Sequence, residues 1–216
     1  MTLGPKVLNI SICATSHMLS NIIAFLIMLN PFAMFLYLQP VMQELKHRDF
    51  LLVLFKASLI SFAIFATFMF AGDFLFQNIF RIHFESFRIF GGIIIFTIAY
   101  LFIVKGHKAF LQVKGNLDDM ASEIALPFMV GAGTISLSIL LSHTFPLTVA
   151  AFGLILILAL NFLFIITLKY IRDALGKKRL EIAFDKIMQI MLRINGFLLG
   201  AIGIDMVVQG TRAMFC

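Results

Sequence analysis

The chain has 216 residues, of which 61% are hydrophobic and 13% are charged, and its formal net charge is +6. A soluble domain of this size needs more polar surface, so the composition excludes a soluble enzyme and indicates a protein whose solvent is lipid. The positive charge does not indicate nucleic-acid binding, because the basic residues lie in loops between apolar runs and form no stripe with interleaved aromatics.

Apolar runs between polar residues predict six membrane-spanning helices. In chain order they cover approximately residues 18–40, 51–72, 87–105, 123–142, 146–168 and 188–210. Roughly 20 apolar residues in a helix cross a hydrocarbon layer of about 30 Å, so the chain is long enough for six crossings with short loops. Alternating in-and-out polarity, the mark of a membrane barrel, is absent. The predicted fold is all-α, a single transmembrane domain over residues 1–216.

The distribution of Lys and Arg predicts the orientation in the membrane. Of the 17 such residues, thirteen lie on the side of the membrane at which spans one, three and five end. The four on the other side are Lys6, Arg81, Arg88 and Arg212. The positive-inside bias places the thirteen in the cytoplasm and both termini outside. The expected location is the bacterial inner (plasma) membrane, with the chain in contact with membrane lipid.

Two segments about 105 residues apart share a local pattern. Span three opens with Phe-Arg-Ile-Phe-Gly at 87–91, and span six opens with Leu-Arg-Ile-Asn-Gly at 192–196. If residues 1–105 and 106–216 each supply three spans, the odd number places the second half upside down relative to the first, as in many secondary transporters. Alternatively, Arg and Gly at a helix entry form an ordinary interfacial pattern that matches by chance. Neither half has the length of a typical carrier domain, so a homo-oligomer is a further possibility.

Two predicted spans contain residues that interrupt a helix. Span one carries Asn30, Pro31, Phe32 and Ala33 near its middle. Proline lacks an amide hydrogen and is favoured at the first helical position, while asparagine is a strong N-cap, so a second half-helix is predicted to begin at this point. Span four carries a comparable segment, in which the last residue is the predicted cap of a new half-helix: Gly131, Ala132, Gly133 and Thr134.

The two breaks are expected to face each other inside the bundle, because irregular backbone at membrane depth is tolerated only when protein or a cavity surrounds it. Their amide hydrogens and positive helix ends suit a carboxylate, and the carbonyls of the preceding half-helices suit an ammonium group. The eight residues of the two breaks are therefore the predicted binding site for a small zwitterionic solute. Alternatively, Pro31 is a structural kink, and Gly131 with Gly133 lets helices approach closely.

Asp205 lies about twelve residues into span six, where an unpaired charge is unfavourable in lipid. Arg88, at the outer end of span three, is its predicted partner. A structural ion pair and a proton-coupling role for Asp205 both remain open. Asn161, Ser136 and other polar residues in the spans are candidates for lining a polar path.

The sequence predicts no catalytic residue, metal or cofactor. Cys13 and Cys216 are the two cysteines and form no CxxC motif, and the five histidines show no ligand spacing such as HExxH. Phosphate-binding loops, nucleophile elbows and paired carboxylates are also missing, so an enzyme is not expected.

The chain resembles the MarC family, also called the neutral amino acid transporter family of six-span membrane proteins. The resemblance covers effectively the whole chain and rests on four blocks, which are Asn30-Pro31, residues 86–93, residues 125–127 with 131–136, and residues 193–202.

The resemblance implies a six-helix fold with two inverted three-helix repeats, external termini and transport of small neutral amino acids such as glycine and alanine. The chain departs from the family pattern at Ala33, Met34 and Leu36, at Ala132 between the two glycines of span four, and at Asp205, where Gln is common. A bulkier, less polar pocket is consistent with a different substrate, efflux of another small solute, or loss of transport. The alternative from another class is a non-transporting membrane scaffold or accessory protein.

Overall fold

A computed structural model describes residues 18–106, 124–125, 129–176 and 178–215. Within these ranges all regular structure is helical and there is no strand, which confirms the predicted all-α fold. Some residues used in the sequence analysis lie outside the described ranges: Cys13, His17, His107, Leu126, Pro127, Cys216 and the basic residues Lys6, Lys108, Lys114 and Lys177.

Helix α1 is described over residues 18–29. The helices that follow are α2 (Pro31–Glu44), α3 (His47–Phe74), α4 (Phe84–Lys105), α5 (Ala132–Thr144), α6 (Leu147–Ala174) and α7 (Lys178–Phe215). Helix α3 continues into a π-helical turn, Leu75–Phe80.

Five segments of the described chain are long and apolar enough to cross a membrane: Met18–Gln39, His47–Gly72, Phe84–Lys105, Leu147–Ala174 and Arg179–Phe215. They match five of the six predicted spans. The predicted span 123–142 is described only in part. Its helix α5 has 13 residues, fewer than the roughly 20 that a complete crossing needs.

Helices α6 and α7 extend beyond the predicted spans, and polar residues in the extended turns bind one another and a residue of α2. Asp185 of α7 accepts hydrogen bonds from Arg172 Nε of α6 at 3.1 Å and from Gln39 Nε2 of α2 at 2.8 Å. Lys169 Nζ lies 2.6 Å from Asp173 Oδ2. Hydropathy marks only the apolar part of a helix, so these polar turns were not predicted.

The two half-helices that follow the breaks pack in opposite parts of the bundle. Helix α2 packs against α6 and α7, with Phe32 edge-on to Phe164 and Phe35 edge-on to Phe184. Helix α5 packs against α3 and α4. Each half-helix therefore contacts the two long helices of the other half of the chain.

Helices α4 and α7 form the most extensive helix pair, and glycines bring their backbones together. A Cβ added at Gly92 would lie 2.5 Å from Gly203 O, and one added at Gly203 would lie 2.8 Å from Gly92 O. Small residues permit this close approach of two helices in a membrane.

Helices α3 and α6 have corresponding positions in the two halves of the chain. Each has 28 residues, and they begin at His47 and Leu147, 100 positions apart. Each follows a tight two-residue turn of similar backbone geometry, with ψ of 145° and 151° at residues 45 and 46 and of 154° and 140° at residues 145 and 146.

Candidate functional site

The first helix break is a single residue, Asn30, between α1 and α2. Asn30 has the left-handed conformation, with φ 47° and ψ 71°, and Pro31 follows as the first residue of α2. Asn30 Oδ1 accepts a hydrogen bond from the Ala33 N–H at 3.1 Å. The N-cap and the break predicted from Asn30-Pro31 are thus both present in the structure.

The carbonyl groups at the end of α1 are used within the protein. The Asn30 N–H lies 3.1 Å from Leu26 O and 3.2 Å from Ile27 O. Asn195 Nδ2 of α7 also donates to Ile27 O, at 3.1 Å. An asparagine from span six therefore supports the end of the half-helix that precedes the first break.

The second break lies at Val130 and Gly131, before α5. Gly131 is extended, with φ −120° and ψ 169°, and its N–H donates to Thr134 Oγ1 at 2.8 Å. The Thr134 hydroxyl lies 3.0 Å from both Met129 O and Gly131 O and donates to one of them. The half-helix begins at Ala132 with Gly131 as its N-cap, three residues before the predicted cap Thr134, so Thr134 stabilises the break from inside the first turn of α5.

The two breaks are close together because Gly133 has no side chain. A Cβ at Gly133 would overlap the side-chain ends of Met28 in α1 and Ile95 in α4. Met28 is two residues before Asn30, and Gly133 is two residues after Gly131. The first turn of α5 therefore packs against the last turn of α1, as expected for breaks that face each other.

Three buried polar side chains around the breaks have an atom without a hydrogen-bond partner among the described residues: Asn30 Nδ2, Ser136 Oγ and Asn161 Oδ1. Asn161 of α6 is fully buried, and its Nδ2 lies 3.6 Å from Met34 Sδ. Met34 lies one helical turn after the break, because its N–H donates to Asn30 O. Asn161 therefore contacts the first turn of α2 through Met34. An unpaired amide donor thus lies at the first break, and an unpaired amide oxygen lies on the buried asparagine of α6 that contacts α2; unpaired polar atoms are unfavourable in such surroundings.

Arg88 and Asp205 were predicted to pair directly, but in the structure Gln209 connects them. Arg88 Nη2 donates to Gln209 Oε1, and Gln209 Nε2 donates to Asp205 Oδ2 at 2.6 Å. Asp205 and Gln209 are exposed on the surface of α7.

Among the predicted site residues, Asn30 and Ala33 are joined by the cap hydrogen bond, Gly133 packs against Met28 of α1, and Phe32 turns towards Phe164 of α6. Asn195 was missing from the predicted site, and Asn161 was only a candidate for a polar path. The available signal was an amide side chain inside an apolar run. That signal does not tell which helix face, and therefore which neighbour, the side chain meets.

The Thr134 hydroxyl is expected to stabilise the second break. Replacing Thr134 with valine keeps its shape but leaves the Gly131 N–H without its acceptor, which should lower the free energy of unfolding by about 1–2 kcal/mol. Unfolding by SDS in mixed micelles measures this change. Thr134→Ser retains the hydroxyl and should stay near the unchanged protein; equal losses in both variants would contradict the capping role.

Long apolar helices packed side by side, with two breaks enclosed among them, define a polytopic integral membrane protein. Residues 15–215 match the family described as MarC family integral membrane protein, and the chain belongs to that family.

Curated relatives carry the name UPF0056 membrane protein. One from Pyrococcus horikoshii is 24% identical over 195 residues, covering 90% of this chain and 93% of the relative. YvbG of Bacillus subtilis is 30% identical over 172 residues, covering 74% of this chain and 77% of the relative. One from Aquifex aeolicus is 26% identical over 201 residues, covering 88% and 90%. No solved structure matches the chain.

Proposed function

We propose that the protein is a secondary transporter that binds a small zwitterion, such as a small neutral amino acid, between the two helix breaks. The observation that carries the proposal is that two buried atoms have no hydrogen-bond partner among the described residues: Asn30 Nδ2 at the first break and Asn161 Oδ1, whose own amide nitrogen meets Met34 of α2. An amide N–H donates to a carboxylate, and an amide oxygen accepts from an ammonium group. A zwitterion provides both partners, and the positive N-terminal ends of α2 and α5 favour its carboxylate.

Alternating access is proposed to come from movement of one half of the chain against the other. The equal lengths of α3 and α6, their 100-residue offset and the similar turns before them support an inverted repeat. The exchange of half-helices, α2 onto α6 and α7 and α5 onto α3 and α4, also supports it. The proposed orientation has both termini outside the inner membrane, as the Lys and Arg distribution predicts.

No covalent step belongs to this proposal. The solute is bound by hydrogen bonds and helix dipoles and is released on the other side of the membrane. Buried amide groups without a partner are unfavourable, so hydrogen bonds from these groups to the solute would contribute to its binding energy.

A scaffold or accessory protein is the second candidate, and close packing at Gly133 favours it. The overlap of a Gly133 Cβ with Met28 and Ile95 shows that no room is left at that point of the second break. A separate apolar groove of about 530 Å³ lies between α3 and α6, and its lining includes no residue of either break. A transporter would have to open at this point to admit a solute, whereas a scaffold would stay packed.

Uptake of labelled glycine, alanine, serine and threonine into liposomes that contain the pure protein separates the two candidates. Time-dependent uptake or exchange above protein-free liposomes is the expected result, and a proton gradient in one set reports coupling. The absence of uptake and exchange for all four solutes, with the protein folded in the membrane, would favour the scaffold.

A further inference from the structure

The surface formed by α4 and α7 has an arginine near each end. These two ends indicate where the helix pair meets the two membrane surfaces. At one end Arg193 approaches the end of α4, since its guanidinium lies 3.7 Å from where a Gly106 Cβ would be. At the other end Arg88 binds Gln209, one turn before Arg212. Arg193 and Arg212 are 19 residues apart in one helix, or about 28 Å, which is close to the thickness of the hydrocarbon layer.

Asp205 lies inside this layer and is exposed on the outer face of α7. It is seven residues from Arg212 and twelve from Arg193, which corresponds to roughly 10 Å and 18 Å along the helix. Exposed apolar side chains surround it, including Ile204 at 52%, Val208 at 50% and Leu198 at 48%. A carboxylate at this depth is unfavourable when it faces lipid.

The side chain of Asp205 does not reach the nearer membrane surface by itself. Side chains in a helix tilt towards its N-terminus, and α7 runs from Arg193 to Arg212, so the carboxylate leans towards the membrane interior. Among the residues that the structure describes, its hydrogen-bond donor is Gln209 Nε2, which is neutral.

We propose that this face binds a second copy of the chain, with Arg88 of each copy paired to Asp205 of the other. Two copies inserted in the same direction are related by an axis along the membrane normal, which keeps residues at their own depth. Arg88 presents five N–H donors, and its hydrogen bond within the described residues goes to Gln209. Asp205 Oδ1 accepts none there, so both groups have capacity for a partner of opposite charge.

Cross-linking in the membrane tests the contact directly. The reporter is Ala201→Cys, one turn from Asp205 on the exposed face, in a Cys13→Ser and Cys216→Ser background, reconstituted in liposomes at low protein density. The matched control is Phe152→Cys on α6, which is 73% exposed on a different helix. Iodine, which partitions into the bilayer and oxidises two neighbouring thiols to a disulfide with release of two HI, should join the reporter cysteines at least tenfold more than the control cysteines. Equal cross-linking yields for the reporter and the control, or no cross-linking of either, would overturn the proposal. Arg88 and Asp205 are unchanged in both variants.

Charge reversal then identifies the pair. Asp205→Arg and Arg88→Asp, each made in the reporter background, should lower cross-linking at least fivefold because each homodimer brings like charges together. Co-reconstituted, the two variants pair Arg88 of one with Asp205 of the other, and also Asp at 88 with Arg at 205. The yield of cross-linked heterodimer, identified by tags of different size, is therefore expected to return to that of the unchanged charges. Failure to recover, with both variants eluting as folded protein, would show that the charges pair within a chain or face another partner.

Discussion

Replacing Gly203 with alanine is expected to destabilise the protein more than the same change at Gly200, one turn away. A Cβ at position 203 would lie 2.8 Å from Gly92 O and 2.9 Å from Phe96 N, both backbone atoms of α4. Backbone cannot move aside as a side-chain end can, so α4 and α7 must separate. We expect the free energy of unfolding to fall by about 1–3 kcal/mol, the range for overpacked interiors.

Gly200→Ala is the matched control for this prediction. A Cβ at position 200 would lie 3.5 Å from Ala99 Cβ, an ordinary contact. Because alanine favours a helix by up to about 1 kcal/mol over glycine, this variant should be as stable as the unchanged protein or more stable. SDS unfolding followed by far-UV circular dichroism compares the two. Equal stability of the two variants would mean that α4 and α7 do not cross at Gly92 and Gly203.

The breaks could be predicted because the chemistry that makes them is local. Asn30 and Pro31 adjoin in sequence, and the missing proline N–H and the asparagine cap act within one turn of helix. Gly131 and Thr134 likewise act within four residues, although the sequence did not fix which residue begins the half-helix. The apolar runs located five spans for the same reason, since length and composition suffice.

Contacts between helices could not be predicted, because they depend on the rotation of each helix about its axis. Asn161 and Asp205 are both isolated polar residues in apolar runs, yet Asn161 is fully buried against Met34 and Asp205 is exposed. The runs around them are apolar on every face, so periodicity gave no signal that separates the two. The Gln209–Asp205 contact is local, since the two residues are four positions apart in one helix, but the rotation that brings Gln209 to Arg88 of α4 could not be predicted.

Asn161 offers a test that separates a binding role from a structural one, because its hydrogen bonding within the protein is weak. Its Nδ2 meets a sulfur atom at 3.6 Å, and its Oδ1 has no partner among the described residues. Leucine has the same branched arrangement of side-chain heavy atoms and removes both buried polar atoms, so Asn161→Leu should leave the free energy of unfolding unchanged or raise it. If Oδ1 binds the ammonium group of the solute, uptake should fall roughly 10- to 100-fold, as loss of about 1.5–3 kcal/mol implies.

Asn195→Leu is the contrasting variant, since Asn195 Nδ2 donates to Ile27 O at 3.1 Å. Its loss leaves a helix-end carbonyl with one fewer donor, so stability should fall by about 1 kcal/mol. Uptake by the two variants, normalised to folded protein in the liposomes, then decides between the roles. A stable Asn161→Leu protein that transports normally would remove Asn161 from the binding site, since its buried oxygen would then serve neither folding nor the solute.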